Sequence, residues 1–281
     1  MNCPACGRPA KMSRLFVFRD GVRRGLPPLE TVECAICTHR FMATDEAAQT
    51  LIEAVYEHGY AGHEVDPVFE QKLAQAIEED IAPRLRPGAR VLDVGCGNGA
   101  FLEAMQARGY AVEGIDISTS IVTELNARGI PARHGDFLVE PYEGTFDLIT
   151  FWDVLEHLRN PSDFIGRAAG LLSPGGWILA KTPGFGRGAV LACGAHDALA
   201  RRVLSAPNHI QYFNRRSMDA MLGAQRLDSV HWLASRGFRG KKAGGGLKKK
   251  AARAVGNLIG RYGGNANLYF VATTTPPRET V

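Results

Sequence analysis

The sequence predicts an α/β fold in which a parallel β-sheet carries helices on both faces, with a small separate unit at the N-terminus. Two observations predict the sheet. Strand-like apolar runs alternate with helix-like segments from Val91 onward, and the first run ends in the glycine turn Gly95-Cys96-Gly97-Asn98-Gly99. The separate unit is predicted by two CxxC pairs that precede the first of these runs.

Length and composition agree with this organisation. The chain has 281 residues, of which 45% are hydrophobic and 22% charged, enough for one large core and a small appendage. A net charge of +4 is compatible with anionic partners without requiring nucleic acid. No apolar run approaches the roughly 18 residues of a membrane span, and a cysteine pair stands where a signal peptide would be apolar. We therefore expect a cytoplasmic protein.

Residues 1–45 are predicted to form a zinc ribbon. Cys3 and Cys6 form one short hook, and Cys34 and Cys37 form a second. Four thiolates at about 2.3 Å complete a tetrahedral zinc shell that has no position for water, which is typical of a structural site. A hairpin through residues 15–18 and 29–32 would join the hooks. A reduced set without metal and a redox CxxC are the alternatives, and His39 is a possible replacement ligand.

Residues 46–88 are predicted to form a linker and a helical cap. Phe69, Leu73, Ile77 and Ile81 recur at every fourth position, which indicates an amphipathic helix that ends before Pro83.

The glycine turn follows a predicted buried strand over residues 90–94 and brings backbone N–H groups close to a ligand. Its pattern Gly95-x-Gly97-x-x-Ala100 also satisfies the degenerate dinucleotide-binding fingerprint, so two cofactor classes compete. The carboxylate of Asp93 would repel a pyrophosphate, whereas it could hold the ammonium of an amino-acid moiety. This charge favours S-adenosylmethionine. Asp116, at the end of the next predicted strand, is placed to accept the ribose hydroxyls.

The remaining elements follow in order along the chain. Asn98, Ser118 and Asn160-Pro161 are predicted to begin three helices. Further strands are predicted over residues 130–134, 146–151, 177–181 and 267–273.

Five segments in this order resemble the landmarks of class I S-adenosylmethionine-dependent methyltransferases, in the branch that acts on small molecules, quinones and sugars or glycans. The segments are residues 93–99, 114–116, 135–137, 153–158 and 172–177, and the resemblance covers roughly residues 65–275. It implies a Rossmann-like methyltransferase domain over residues 89–275. Together with the strand-end positions, it implies a cofactor site made of Asp93, Gly95, Cys96, Gly97, Gly99, Asp116, Ile117, Asp136, Phe137 and Asp153.

Three residues are candidates for proton transfer from a hydroxyl acceptor. In the resembling enzymes the pair Glu156-His157 begins a helix beside the active site, so His157 is one candidate base. The regular alternation stops over residues 183–215, which we interpret as an inserted lid. Its end resembles the histidine-x-x-tyrosine-phenylalanine signature that lines the acceptor pocket, which makes His209 and Tyr212 competing candidates. A structural role is the alternative for all three.

A basic helical insertion is predicted over residues 236–265, with a tail at 276–281. Three interpretations stay open for its helix near 247–262: a solvated helix over the sheet, a peripheral contact with an anionic membrane or lipid-linked substrate, and a nucleic-acid patch. The aromatic residues expected for single-stranded RNA are missing there, so we do not expect a nucleic-acid partner.

We therefore expect transfer of a methyl group from S-adenosylmethionine to a small-molecule or glycan acceptor, at oxygen rather than carbon. An RNA-base methyltransferase is the first alternative, although no proline-proline-tyrosine triplet or cysteine nucleophile follows the 146–151 strand. A non-catalytic module that binds the cofactor or a protein partner is the second. The sequence leaves the acceptor and the oligomeric state open.

Overall fold

The computed structural model describes residues 1–19, 25–48, 50–52, 67–227, 229–233 and 267–274. The predicted basic insertion (236–265), the predicted tail (276–281) and most of the predicted linker lie outside these residues. The strands are β1 Met12–Phe18, β2 Leu29–Cys34, β3 Arg40–Ala43, β4 Arg90–Val94, β5 Ala111–Asp116, β6 Ala132–His134, β7 Phe146–Trp152, β8 Leu172–Pro183, β9 Gln211–Tyr212, β10 Ser229–Trp232 and β11 Asn267–Thr273. The α-helices are α1 Pro67–Ala76, α2 Ala100–Gln106, α3 Thr119–Ala127, α4 Pro161–Leu171, α5 Arg187–Gly194, α6 Asp197–Val203 and α7 Arg215–Ala224.

The larger sheet confirms the predicted α/β architecture. Its strand order is β10-β11-β8-β7-β4-β5-β6, and the five strands from β8 to β6 run parallel. At the other edge, β11 pairs with β8 and β10 with β11 in antiparallel fashion. The chain winds outward from β4 in both directions, so a crevice opens at the carboxyl ends of β4, β5 and β7. Strand β10 was not predicted.

The local signals of the helices are confirmed with one correction. Ser118 is the N-cap of α3, where its hydroxyl accepts a hydrogen bond from Ile121, and Pro161 occupies the first turn of α4. Asn98 was expected to begin α2, but the N-cap is Gly99 with φ of +76°. A β-carbon at Gly99 would lie 2.4 Å from Leu125 Cδ2, so Leu125 of α3 packs too closely for any residue larger than glycine at this position. Asn98 instead accepts from the amide of Ala100.

The predicted cap helix is present but changes its winding. After α1 the chain makes a π-helical turn over Ile77–Ile81 and a 3₁₀ turn over Ala82–Arg84. Leu73, Ile77 and Ile81 are buried, and they pack with Val91 of the central strand. The four-residue spacing therefore identified the buried face correctly at these three positions, and the side chain of Phe69 lies outside the described part of the chain.

The smaller sheet has the order β1-β2-β3-β9, and its β1–β2 hairpin confirms the predicted one. Its fourth strand, β9, comes from the segment interpreted as an inserted lid. Helices α5 and α6 of that segment pack with the ribbon around a second core, which includes Phe18, Met42, Val190 and Leu204. The segment is thus folded together with the ribbon, because β3 offers an edge for pairing and the ribbon offers apolar surface.

Candidate functional site

The glycine turn at the end of β4 is tied to the neighbouring strand. The amides of Gly95 and Cys96 donate to the carbonyl of Ile115 at 2.8 and 3.2 Å, and the amide of Gly97 donates to Asp116 Oδ2 at 3.0 Å. The sequence predicted that N–H groups of this turn face a ligand. These three are instead used to hold β5, so among them none is left to cradle a pyrophosphate.

The turn needs glycine for steric reasons. Gly95 and Gly97 have φ of +69° and +51°, in the left-handed region that other residues avoid. A β-carbon at Gly95 would also lie 2.7 Å from Val154 Cγ2. The backbone therefore passes directly against the chain that follows β7. Cys96 is buried between these glycines, so its side chain serves packing.

Asp93 lies at the end of β4, between the two neighbouring strands. It is only 2% exposed, its register partners are Gly114 on β5 and Thr150 on β7, and Thr150 Oγ1 donates to Asp93 Oδ1 at 2.5 Å. Burial raises the pKa of Asp93 to about 7, the charge of Asp116 acts in the same direction, and the Thr150 hydrogen bond opposes them. This carboxylate would be stabilised by a cation.

Asp116 ends β5 and accepts hydrogen bonds from the backbone on both sides. Besides the amide of Gly97, the amide of Ser118 donates to its Oδ1 at 2.9 Å. Burial raises the pKa of Asp116, while these backbone donors lower it. The neighbouring Ile117 side chain is 47% exposed, which leaves an apolar surface beside the carboxylate.

Asp136 and Phe137 differ in their surroundings. Asp136 is exposed, and its Oδ1 accepts from the amide of Leu138, so it stabilises its own loop. Phe137 is 2% exposed and packs against Phe151 and Phe164 in the main core. Its ring is therefore part of the core, and only its backbone is available to a ligand.

A group of charges follows β7. Asp153 has φ of +54°, and its carboxylate forms an ion pair with the buried Lys181 of β8. Thr182 Oγ1 donates to Glu156 Oε2 at 2.8 Å, and Glu156 is completely buried. Within the part of the chain that the structure describes, Asp153 Oδ1 and Glu156 Oε1 have no hydrogen-bond partner. Burial and the charge of Asp153 raise the pKa of Glu156 to about 8.

Sequence reasoning missed Lys181 and Thr182. The only signal was a lysine near the carboxyl end of an apolar strand, which by itself is more typical of an exposed strand end.

His157 and His209 come together, although they lie far apart in sequence. Their rings meet edge to face with centroids 4.7 Å apart. His157 Nδ1 lies 2.8 Å from the carbonyl of Asn208, so Nδ1 carries a proton and donates it to this carbonyl. Burial lowers the pKa of His157, which favours the neutral ring.

Tyr212 does not join the histidines. Side chains alternate along β9, and Tyr212 points into the second core, where it is completely buried and packs against Phe185. Burial raises its pKa further. The predicted proton-transfer role of Tyr212 is not supported by this position.

Among the residues that the structure describes, two groups of side chains could hold a metal ion. Ligand atoms of Glu156, His157 and His209 lie within 4.8 Å of one another, a nitrogen and oxygen set that suits a divalent ion.

The four ribbon cysteines form the other group, also within 4.8 Å, and all four are buried and reduced. Cys3 Sγ and Cys37 Sγ are 3.6 Å apart, close to the edge of about 3.8 Å that follows from tetrahedral bonds of about 2.3 Å. The cluster is thus compatible with a zinc ribbon. His39, the predicted alternative ligand, is buried beside the cluster and hydrogen-bonded to Gln211.

The fold defines an α/β protein with a crevice at the carboxyl edge of a parallel sheet, the place where such sheets bind ligands, and this crevice lies beside a glycine turn, the buried Asp93 and the half-buried Asp116. The chain belongs to the family described as methyltransferase domain, whose family model matches residues 62–231.

The relatives agree with this assignment. Over 103 residues the chain is 38% identical to the ubiquinone biosynthesis O-methyltransferase of Burkholderia multivorans, a match that covers 34% of this chain and 44% of the relative. The chain spans about half the length of the curated relatives it matches.

Solved structures show the same fold. The S-adenosylmethionine-dependent methyltransferase of Archaeoglobus fulgidus is 15% identical with a TM-score of 0.51, over 78% of this chain and 98% of that one. Magnesium protoporphyrin IX methyltransferase of Synechocystis PCC 6803, solved with bound S-adenosylhomocysteine, is 16% identical with a TM-score of 0.51, over 80% and 99%. Within the described residues, no helix has both the length and the apolarity needed to cross a membrane.

Proposed function

We propose that the protein transfers a methyl group from S-adenosylmethionine to a hydroxyl oxygen of a small-molecule or glycan acceptor. The observation that carries this proposal is the pair of carboxylates, the buried Asp93 and the half-buried Asp116, on either side of a glycine turn whose amides are tied to β5. A pyrophosphate would meet negative charge there and few free amides, whereas a cationic amino-acid moiety meets a complementary carboxylate. The similarity to an enzyme named as an O-methyltransferase supports the choice of oxygen.

In this proposal each crevice residue contacts a different part of S-adenosylmethionine. Asp93 faces the ammonium, Asp116 accepts the ribose hydroxyls, and the exposed Ile117 packs against the adenine. Asp136 and the backbone of Phe137 border the adenine edge. Asp153 lies between cofactor and acceptor, because it follows β7 at the same edge of the sheet.

S-adenosylmethionine supplies an electrophilic methyl group when it is bound, so the protein contributes mainly by positioning the acceptor. A base is needed when the acceptor is an alcohol or phenol. His157 fits this role, because it follows β7 beside Asp153 and its ring is fixed by the Asn208 carbonyl, to which Nδ1 donates at 2.8 Å. Its lowered pKa keeps the ring neutral near pH 7. His209 stands beside it as the second candidate.

The convergence of Glu156, His157 and His209 favours a second role for the same side chains, which is to hold a divalent ion that orients the acceptor oxygen. Dialysis against a chelator followed by addition of Mg²⁺, Mn²⁺ or Zn²⁺ separates the two roles. Methyl transfer that persists without added metal supports His157 as the base. Transfer that depends on metal and is lost in Glu156→Gln supports the ion.

The four ribbon cysteines are proposed to hold a structural zinc ion, which would close the two hooks and leave no position for a substrate. The predicted boundaries between ribbon, cap and methyltransferase domain stay proposals as well.

Thermal melting with S-adenosylhomocysteine and with NAD tests the cofactor. We expect stabilisation by S-adenosylhomocysteine only, since binding to the folded state raises the melting temperature. Stabilisation by NAD alone would overturn the proposal. Methyl-labelled S-adenosylmethionine, incubated with phenols, catechols, hydroxylated sugars and RNA, then identifies the acceptor class. Labelling of RNA alone would favour the RNA-base methyltransferase, and a protein that binds the cofactor but labels none of them would favour the non-catalytic module.

A further inference from the structure

The ribbon and the turn that carries Glu156 and His157 are joined through the residues around β9. The amide of Met42 on β3 donates to the carbonyl of Ile210 at 2.8 Å. The amide of Ile210 in turn donates to the carbonyl of Glu156 at 2.9 Å. One residue therefore connects the edge of the ribbon sheet to the histidine-bearing turn.

Gln211 makes a second connection, through its side chain. It is 1% exposed, and its Nε2 donates to the carbonyls of Leu158 at 2.7 Å and Arg159 at 3.3 Å. Two carbonyls can only be satisfied by the amide nitrogen, so Oε1 must face His39, whose Nε2 lies 2.7 Å away and donates to it. The orientation of this side chain is thus determined at both ends.

His39 belongs to the second cysteine hook. It stands two residues after Cys37, its carbonyl accepts from the amide of Cys34 at 2.8 Å, and the side chain is completely buried. Its ring lies 4.7 Å from that of Phe213, measured between centroids. Because the His39 carbonyl is hydrogen-bonded to the amide of Cys34, a change in the hook moves His39, which is the hydrogen-bond partner of Gln211.

We infer that Gln211 is a positioning residue, through which the cysteine cluster of the ribbon holds the turn with Glu156 and His157 in place for the acceptor. This inference rests on the proposed function for the meaning of the turn, but the coupling itself is structural. The chain of contacts runs from the cluster through His39 and Gln211 to Leu158.

The connection reaches only one side of the crevice, at residues 156–160, beyond Asp153 and Val154, which border the glycine turn. The glycine turn, by contrast, is held by β5, through the carbonyl of Ile115 and the carboxylate of Asp116. We therefore expect a perturbation of Gln211 to loosen residues 156–160 while cofactor binding stays intact. A residue needed only for folding would affect both sides.

The variant Gln211→Met keeps the length of the side chain but leaves the Leu158 and Arg159 carbonyls and the His39 donor without partners. Gln225→Met is the matched control, since Gln225 Nε2 donates to Ser162 Oγ and ties α7 to α4 without touching the turn. Hydrogen–deuterium exchange, measured by mass spectrometry, reports on the amides of residues 156–160 and 207–213. We expect about tenfold faster exchange in Gln211→Met and wild-type rates in Gln225→Met. Affinity for S-adenosylhomocysteine should change less than twofold.

Substitution at His39 supplies a test that depends on the donor. His39→Gln retains an amide donor for Gln211 Oε1, whereas His39→Leu removes it. Slower exchange over residues 156–160 in His39→Gln than in His39→Leu is the expected rescue. Equal exchange in the two variants would overturn the inference.

Metal removal from the wild-type chain tests the cluster itself and needs no variant. We expect a chelator to speed exchange in residues 1–45, 156–160 and 207–213, with residues 91–101 unchanged. A response confined to residues 1–45 would overturn the inference, as would loss of protection throughout the sheet. If the wild-type chain fails to bind S-adenosylhomocysteine while these exchange results hold, the proposed function fails and the coupling stands.

Discussion

The substitution Gly95→Ala tests the packing of the glycine turn against the chain that follows β7. Alanine at φ of +69° costs about 1–2 kcal/mol. Its β-carbon would lie 2.7 Å from Val154 Cγ2, and overpacking of this kind costs about 1–3 kcal/mol more. We expect the free energy of unfolding to fall by about 2–5 kcal/mol in urea, and S-adenosylhomocysteine affinity to fall as well.

Gly109→Ala is the matched control, because Gly109 has φ of +82° but open space where a β-carbon would stand. For Gly109→Ala the free energy of unfolding should fall only by the backbone cost of a positive φ, about 1–2 kcal/mol. In the background of Val154→Ala, the steric part of Gly95→Ala should disappear, which a double-mutant cycle measures. Equal costs at Gly95 and Gly109, with no coupling to Val154, would refute the close contact.

Three further predictions concern the acids and the cysteines. Asp116→Ala should weaken S-adenosylhomocysteine binding at least tenfold in calorimetry, because the ribose acceptor is lost; unchanged affinity would contradict the ribose role. The folded pKa of Asp93 is raised to about 7, so its protonated form stabilises the apoprotein fully below about pH 4, and this contribution is lost as the pH rises through about 7. Asp93→Asn should therefore flatten the fall in melting temperature between about pH 4 and 8, and a slope like that of the wild type would count against the raised pKa. Cys34→Ser should lower the melting temperature and the zinc content. Cys193→Ser, at a lone buried cysteine, should leave the zinc content unchanged. Equal zinc content in both variants would exclude the four-cysteine cluster as the zinc site.

Features that depend on local backbone requirements were predictable. The glycine turn follows from residues that must adopt positive φ, and the acids at the ends of β4 and β5 follow from where apolar strands stop. The β1–β2 hairpin and the buried face of the cap helix follow from short-range periodicity. Each of these depends on neighbours within a few residues, so the sequence carries a direct signal.

Long-range pairing produced the remaining features. Gln211 meets His39 across 172 residues, and β9 completes the ribbon sheet because an edge of β3 was available. That pairing sends Tyr212 into the second core, although its motif suggested the acceptor pocket. Likewise the amides of the glycine turn are used by Ile115 because of the β4–β5 register.

Local chemistry therefore identified which residues could carry function, since turns, strand ends and cysteine hooks have short-range patterns. Which of them meet depended on the packing of one sheet edge against another. A two-residue strand such as β9 has no periodicity of its own, and its partners become known only when the chain is folded.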